Sequence, residues 1–473
     1  MKRLFASFLI FILLLSGCSP ASEESFEALS SPQVERQEDP APVTPDSEEE
    51  APVQQDPAPQ PPAAESEPKE ESKPSSVKKP APVEEVRMED APPLTERVQL
   101  TTPHTSVAEG EHYQFSTLSD REKKVYNRID AAAEQGKTVA DLRGLGCSVE
   151  QATDIYCAYV SDHPQYFYLY SSFAYTCSGQ DGLLKDFVIL YFDGKVYDQY
   201  GENGELSLAA DRAAIGAQIR TFNSKVAEWA ALVPVAISLV EKEKVIYDLI
   251  QDHVTYATEV AESIAVTDTV ESHAFDAYGA ICEGEAVCEG YAELFQLLCY
   301  CVGIDATPVF GQSEGQDHMW TALRLESGWY MADVTWDDPD MEGYRCYLYF
   351  NVTEEQLAKT HNIDRESLSV PSCTAEEDAF YRRFAIYPSS LGALPENYKE
   401  ILNRLAAGMD TWLYFYFPEV TNEVEIEFYL HRFVLGASSA VRAYLREQDY
   451  GLEIDPTYYM MESYCVLKMK RTR

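Results

Sequence analysis

The chain opens on an apolar run, Leu4 to Leu15, broken only by Ser7, behind the cationic Met1-Lys2-Arg3. A run of that length is short for a bilayer span and reads as an export signal. From Ser19 to Arg97 no apolar period appears. Regular patterns begin near Glu111. Apolar positions at helical spacing predict helices over Asp120–Gln135, Val149–Val160, Ser207–Trp229 and Val240–Tyr256, while dense β-formers predict strands over Phe167–Cys177 and Asp186–Tyr197. Further on, Tyr291, Leu294, Phe295, Leu298, Cys301 and Val302 mark one face of a helix that begins at or beside Cys288. Three strands follow: ATPVFGQ, HMWTALRL and WYMADVTW, with Glu326-Ser327-Gly328 as the turn between the last two. The C-terminal part predicts helices over Glu396–Ala407 and Glu423–Glu447, a strand over Thr411–Phe417 and a strand-rich tail from Tyr458 to Lys470.

Composition sharpens the patternless stretch. Residues 19–97 hold 16 of the 26 prolines, 20 acidic and 7 basic residues, and Phe26 as the only aromatic. Such a segment buries too little apolar surface to offset its chain entropy, and proline with net negative charge extends it. It is expected to be a disordered tether. The organisation that results is a signal over 1–18, a tether over 19–105, an α+β module over 106–235, a central domain over 236–370 and a second α+β module over 371–473.

Charge and cysteine content exclude several roles. Taking the +2 of the first three residues and the −13 of the tether from the net charge of −42 leaves about −31 on the rest, so the folded part is itself acidic. Nucleic acid is therefore not expected as a partner, because binding it relies on Lys and Arg neutralising phosphates. Of the 11 cysteines, Cys157 and Cys299 lie in apolar helical patterns and read as small hydrophobes. No pair or His/Cys cluster has zinc spacing. The opening of a calcium loop at Asp338, Asp340, Glu342 and Gly343 fails because Tyr349 stands where the bidentate glutamate belongs. No cofactor or metal is expected.

The candidate chemistry lies between Asp276 and Pro339. A helix N-terminus stabilises a thiolate, which places Cys288 where a nucleophile is activated. It also needs a base and a group to orient that base. His318 opens the second of the three strands and Asp333 lies in the third. Side chains alternate faces, so these two share a face only if paired residue numbers sum to an odd value, as when Arg324 pairs with Trp329. That register sets Asp333 opposite Trp320 and about 7 Å diagonal to His318, whereas a three-residue loop without a bulge would separate them. Cys282 is the competing nucleophile, but no helical pattern starts there. His163, His253, His273 and His361 have no comparable setting and read as surface or structural. Trp320, Trp329 and Trp336 fit an acyl-donor groove or core packing.

Two resemblances follow from these residues. Leu15-Ser16-Gly17-Cys18 resembles the lipobox of bacterial lipoproteins, which implies cleavage before Cys18 and a lipid on its thiol, holding the protein at the outer face of the cell membrane. The blocks AVCEGYAELF, DHMWTALRL and GWYMADVTWDDP, followed by YLYFNVTEEQLAKTH, resemble the transglutaminase-like superfamily, relatives of papain-like cysteine peptidases, over roughly Val240–His361. That resemblance implies a nucleophile helix packed on an antiparallel sheet and a Cys288–His318–Asp333 triad. By family analogy Cys288 attacks a carboxamide carbon, His318 moves the proton and Asp333 orients the imidazole. The expected substrate is a protein or peptidoglycan peptide at the cell surface, and the backbone amide of Cys288 is the candidate oxyanion donor. The opposing expectation is a cell-wall-associated binding or structural lipoprotein that keeps the fold without turnover. DHPQYFYL, Asp162 to Leu169, resembles the module preceding such domains in bacterial surface proteins, with no function attached.

Overall fold

The computed structural model describes residues 93–385 except 109–110, 179–181, 201–204, 268–271 and 339–344. It also describes residue 429 and the strands Glu84–Arg87, Thr411–Tyr416, Gly451–Asp455, Met460–Met461 and Tyr464–Thr472. The signal segment with Cys18, most of the tether and the helices expected over 396–407 and, Tyr429 apart, 423–447 lie outside the described residues. No helix among the described residues is long and apolar enough to cross a membrane.

The fold is α+β. Three helices come first: α1 (Tyr113–Thr117), α2 (Asp120–Glu134) and, after the short strand β1 (Val139–Asp141), α3 (Val149–Asp162). Sequence dictates where two of them start. Ser119 with Glu122, and Ser148 with Gln151, form reciprocal capping boxes that satisfy amides the first turn leaves open. The strands β2 (Leu169–Cys177) and β3 (Leu184–Tyr191) join β1 in an antiparallel sheet of order β1-β3-β2. The helix expected from Ser207 begins later. Residues Glu205–Leu208 are a strand, and α4 (Arg212–Leu232) starts only where the Asp211 carboxylate accepts the amides of Ala213 and Ala214.

Helix α5 (Leu239–His253) ends before Tyr256, which lies instead in the two-residue strand β4 (Thr255–Tyr256), parallel to β5 (Glu285–Ala286). Helix α6 (Cys288–Val302) follows at once, and Gly303 stops it at φ 89°, a conformation that costs glycine nothing. Strands β6 (Asp305–Ser313), β7 (Gln316–Leu325), β8 (Gly328–Ala332) and β9 (His361–Ile363) form an antiparallel sheet of order β8-β7-β6-β9. Helix α6 lies on β6 and β7, burying Leu294, Phe295, Leu297 and Leu298 completely or nearly so. Each such side chain contributes about 1.5–3 kcal/mol, so this helix is fixed by its packing and its first residue is fixed with it. The apolar core is continuous from Leu94 through α2–α6 to Phe380.

The tether expectation is corrected at its C-terminal end. Leu94 is buried, and the Leu94 amide donates to Gly136 O, that of Gln99 to Asn223 Oδ1 and the Thr102 hydroxyl to Cys301 O. Residues 93–105 therefore belong to the folded body, and Glu84–Arg87 pairs with Glu205–Leu208. Averaging over a proline-rich stretch hid the apolar anchors Leu94, Val98 and Leu100, which pack on the core.

Candidate active site

Cys288 is the first residue of α6 and remains half-buried, whereas Tyr291, Ala292 and every residue from Leu294 to Val302 are buried. Its backbone is held from two directions. β5 pairs with β4 just upstream, and the amide of Val287 donates to Ala274 O at 2.9 Å. Gly290 permits that approach, since a Cβ there would lie 2.7 Å from Ala274 O.

His318 is the third residue of β7 and pairs with Gly311 of β6. The hairpin β7–β8 has the odd-sum register: Arg324 faces Trp329 and Thr321 faces Ala332, with Leu325 facing Gly328 across a two-residue turn of Glu326 and Ser327. Asp333 is the first residue beyond β8 rather than part of it, and it turns into the segment 334–337. The result is a hydrogen bond of 2.6 Å between His318 Nε2 and Asp333 Oδ2. With Nε2 so engaged, Nδ1 is the nitrogen left to meet the thiol, and Cys288 lies near enough to the His318 imidazole to raise its basicity. Burial alone would lower the basicity of His318. The charge of Asp333 outweighs it and pulls the imidazole up to about 10. Burial likewise works to raise the Asp333 carboxyl, but His318, with a second imidazole described below, holds it well under the usual carboxylate range.

The Asp333 turn is fixed on several sides. Asp333 Oδ1 accepts the Trp336 amide at 3.1 Å, and its carbonyl accepts the Tyr247 hydroxyl at 3.0 Å. Tyr247 also donates to Asp337 Oδ2 at 2.6 Å, while Asp337 accepts the amides of Leu348 and Tyr349. Tyr291, one turn into α6, donates to Asp338 Oδ2 at 2.6 Å. Thus the aspartates of the WDD sequence bolt the turn to α5, to α6 and to the following loop.

One residue of the cluster was missed from sequence. His361 is buried at the start of β9, and its Nε2 lies 3.0 Å from the same Asp333 Oδ2. β9 reaches this place because it pairs with the far edge of β6, His361 with Ser313 and Ile363 with Gly311. A Cβ at Gly311 would meet Asn362 O at 2.1 Å and Trp320 Cη2 at 2.6 Å, so glycine is required for the approach. The available signal was the YLYFNVTEEQLAKTH block itself, which ends on His361; nothing in its periodicity says where β9 docks.

The other candidates fall into place. Cys282 lies in a π-helical turn, and burial, reinforced by Asp276, pushes its thiol up to about 12. His163 is buried between Tyr126 and Gln165, His253 is exposed, and His273 is bonded to Asp276 at 2.6 Å. Trp320 is buried in the core; Trp336 and Trp329 are half-buried, with Trp336 against the His318 and His361 rings. Tyr256 is partly exposed, and burial, then its nearness to Cys288 and Asp333, raises its phenol to about 12. The DHPQYFYL block is structural: Asp162 accepts the amides of Gln114 and Phe115 and the Tyr126 hydroxyl, and Ser161 O accepts the Gln296 side chain of α6. Donor atoms of His318, Asp333 and His361 lie within 4.8 Å of one another. A divalent ion there would have to replace both imidazole–carboxylate hydrogen bonds.

The transglutaminase-like superfamily model matches residues 234–334, a stretch that contains Cys288, His318 and Asp333. The middle of the chain is therefore a transglutaminase-like domain. Kyphoscoliosis peptidase from Mus musculus is 30% identical over 117 residues, 22% of this chain and 17% of that protein. The Homo sapiens protein of the same name is 30% identical over 108 residues, 20% of this chain and 15% of the relative. The chain thus spans about a sixth of the length of these curated relatives. Among solved structures, a TGase shares 19% identity over 30% of this chain and 37% of its own, with a TM-score of 0.23. A putative cysteine protease from Cytophaga hutchinsonii shares 26% identity over 20% and 30%, with a TM-score of 0.16.

Proposed function

We propose that this domain catalyses cysteine-dependent acyl transfer or hydrolysis on the amides of proteins or peptides. The observation that carries the reading is the Asp333 hydrogen bond to His318 Nε2, which leaves Nδ1 for the thiol of Cys288 at the start of α6. Cys288 first gives its proton to His318, and the sulfur then attacks the amide carbon. The C–N bond then breaks, and His318 returns the proton to the departing nitrogen, leaving a thioester. An amine of lysine type attacks the thioester to make an isopeptide bond, or water attacks it to release an acid. Either step regenerates the thiol. Asp333 keeps His318 in one orientation and balances its charge. The Cys288 amide, at the positive end of α6, is the proposed oxyanion donor.

The proposed setting is the outer face of a bacterial membrane. Cys18 would carry the lipid, and the tether would hold the domain over proteins or peptidoglycan peptides as acyl donors. The name of the curated relatives favours the hydrolytic branch.

The test incubates the protein with surface extracts and wall peptides, quenches in acid and seeks a mass adduct on the Cys288 peptide, with Cys288→Ala as control. An adduct on Cys288 whose mass fits an acyl donor supports the reading. No adduct from any extract, with Cys288 reactive toward no acyl donor, favours the non-catalytic binding lipoprotein.

A further inference from the structure

We propose that His361 is a positioning residue of this site: it clamps Asp333 from the side opposite His318, so the working unit is a Cys288–His318–Asp333–His361 chain. The inference rests on the catalytic reading of Cys288, His318 and Asp333 given above and adds a member to it.

The direction of the hydrogen bonds assigns the role. A carboxylate can only accept, so the 3.0 Å contact requires the proton on His361 Nε2. In the neutral ring, Nδ1 is then an acceptor, and the Thr360 hydroxyl, which lies 2.8 Å from it and 3.4 Å from its other acceptor Leu357 O, is its donor. The Tyr349 hydroxyl donates in turn to Thr360 at 3.3 Å. Three groups in sequence thus point their protons toward Asp333. The ring has little freedom to swivel: it is fully enclosed, with Trp320 at 5.0 Å, Trp336 at 4.9 Å and Tyr349 at 5.3 Å between centroids.

Asp333 needs this support because it is itself buried at 1% exposure. Its charge is met by His318 and His361 on Oδ2 and by the Trp336 amide on Oδ1. If one donor is removed, the buried pair shifts toward its neutral form: the Nε2 proton moves to Asp333 Oδ2, and His318 keeps a single proton, on Nδ1. The cation beside Cys288 is then lost. The titratable groups facing His361 are Asp333, His318 and Tyr349. Of these, Asp333 is bonded to both histidines.

The experiment compares wild type, His361→Phe and His361→Gln in the full chain, each checked for a cooperative thermal transition above the assay temperature. Phe keeps ring volume without the donor, and Gln returns an N–H near the Nε2 position. Two readouts are taken: the iodoacetamide labelling rate of Cys288 against pH, and the low-field proton resonance of the His318–Asp333 bond. In His361→Phe the labelling rate at about pH 5 is expected to fall about tenfold or more, the value of one hydrogen bond to a buried charge. The resonance is expected to shift or broaden, while His361→Gln stays within about threefold of wild type. A folded His361→Phe that keeps the wild-type profile and resonance overturns the proposal. So does a His361→Gln as impaired as His361→Phe, which would assign the residue to packing alone. Failure of the catalytic reading looks different: wild-type Cys288 would itself label no faster than in the unfolded chain.

Discussion

Two histidine–aspartate pairs in this molecule have the same length and opposite fates. His318–Asp333 and His273–Asp276 are both 2.6 Å, and both are largely withdrawn from solvent. In the first, Asp333 takes Nε2, and the other nitrogen is left open with Cys288 close enough to act on the ring. In the second, Asp276 takes Nδ1, and Gln218 occupies Nε2 at 3.0 Å. Asp276 further accepts the amides of Tyr278 and Gly279, and a Cβ at Gly279 would meet His273 O at 1.9 Å. Both ring nitrogens of His273 are spent on structure. A buried acid–imidazole pair becomes chemically useful only when one ring nitrogen remains open toward a reactive group. The two neighbouring cysteines repeat the lesson: Cys282 has its thiol pushed up to about 12 by burial and Asp276, whereas Cys288 sits at the start of a helix facing His318.

Changes at the two pairs should separate cleanly. Cys288→Ala is expected to lower turnover on any acyl donor by about 10⁴-fold or more, as for loss of a nucleophile, while Cys282→Ala changes it less than about twofold. Initial rates on one donor check both. Asp333→Asn should lower kcat by about 10³-fold with a smaller change in KM, because it disturbs the orientation of His318 rather than substrate binding. Asp276→Ala should do the reverse, keeping Cys288 reactivity within about twofold but costing about 3–5 kcal/mol in denaturant unfolding, the penalty for breaking a buried pair. If Asp276→Ala abolishes reactivity in a folded protein, the distinction between the pairs collapses.

The smallest effect is in the pH dependence of stability. His318 has a folded value near 10 against an unfolded value of about 6.5, raised by Asp333 against the effect of burial. A raised basic group stabilises the fold fully below its unfolded value and loses that contribution as pH climbs through the folded one. Between about pH 6.5 and 10, wild type should therefore lose roughly 1–2 kcal/mol more than Asp333→Asn, measured by urea unfolding at each pH.

Much of this was legible in the chain, for identifiable reasons. The start of α6 was marked by the apolar face from Tyr291 to Val302, and parity showed which hairpin register puts His318 and Asp333 on one face, though the choice of that register is read only from the pairing of β7 with β8. These are local signals, carried within a few dozen residues. His361 was not legible, because its place depends on β9 pairing with the far edge of β6, a contact that Gly311 permits but does not announce. The segment 93–105 was misread for a similar reason: Leu94 and Thr102 find partners at Gly136 and Cys301, far along the chain. What tertiary structure alone decides is which of several plausible histidines meets which carboxylate, and by which nitrogen.

The central claim is that Cys288, alone among the thiols near this helix, is activated by the His318–Asp333 pair. Its most direct test is the rate of iodoacetamide labelling at about pH 6, mapped by peptide for Cys288 and Cys282 in the native and urea-unfolded chain. The account predicts Cys288 labelling at least about tenfold faster when native than when unfolded, with native Cys282 slower than its unfolded form. Equal native and unfolded rates at Cys288 would contradict it.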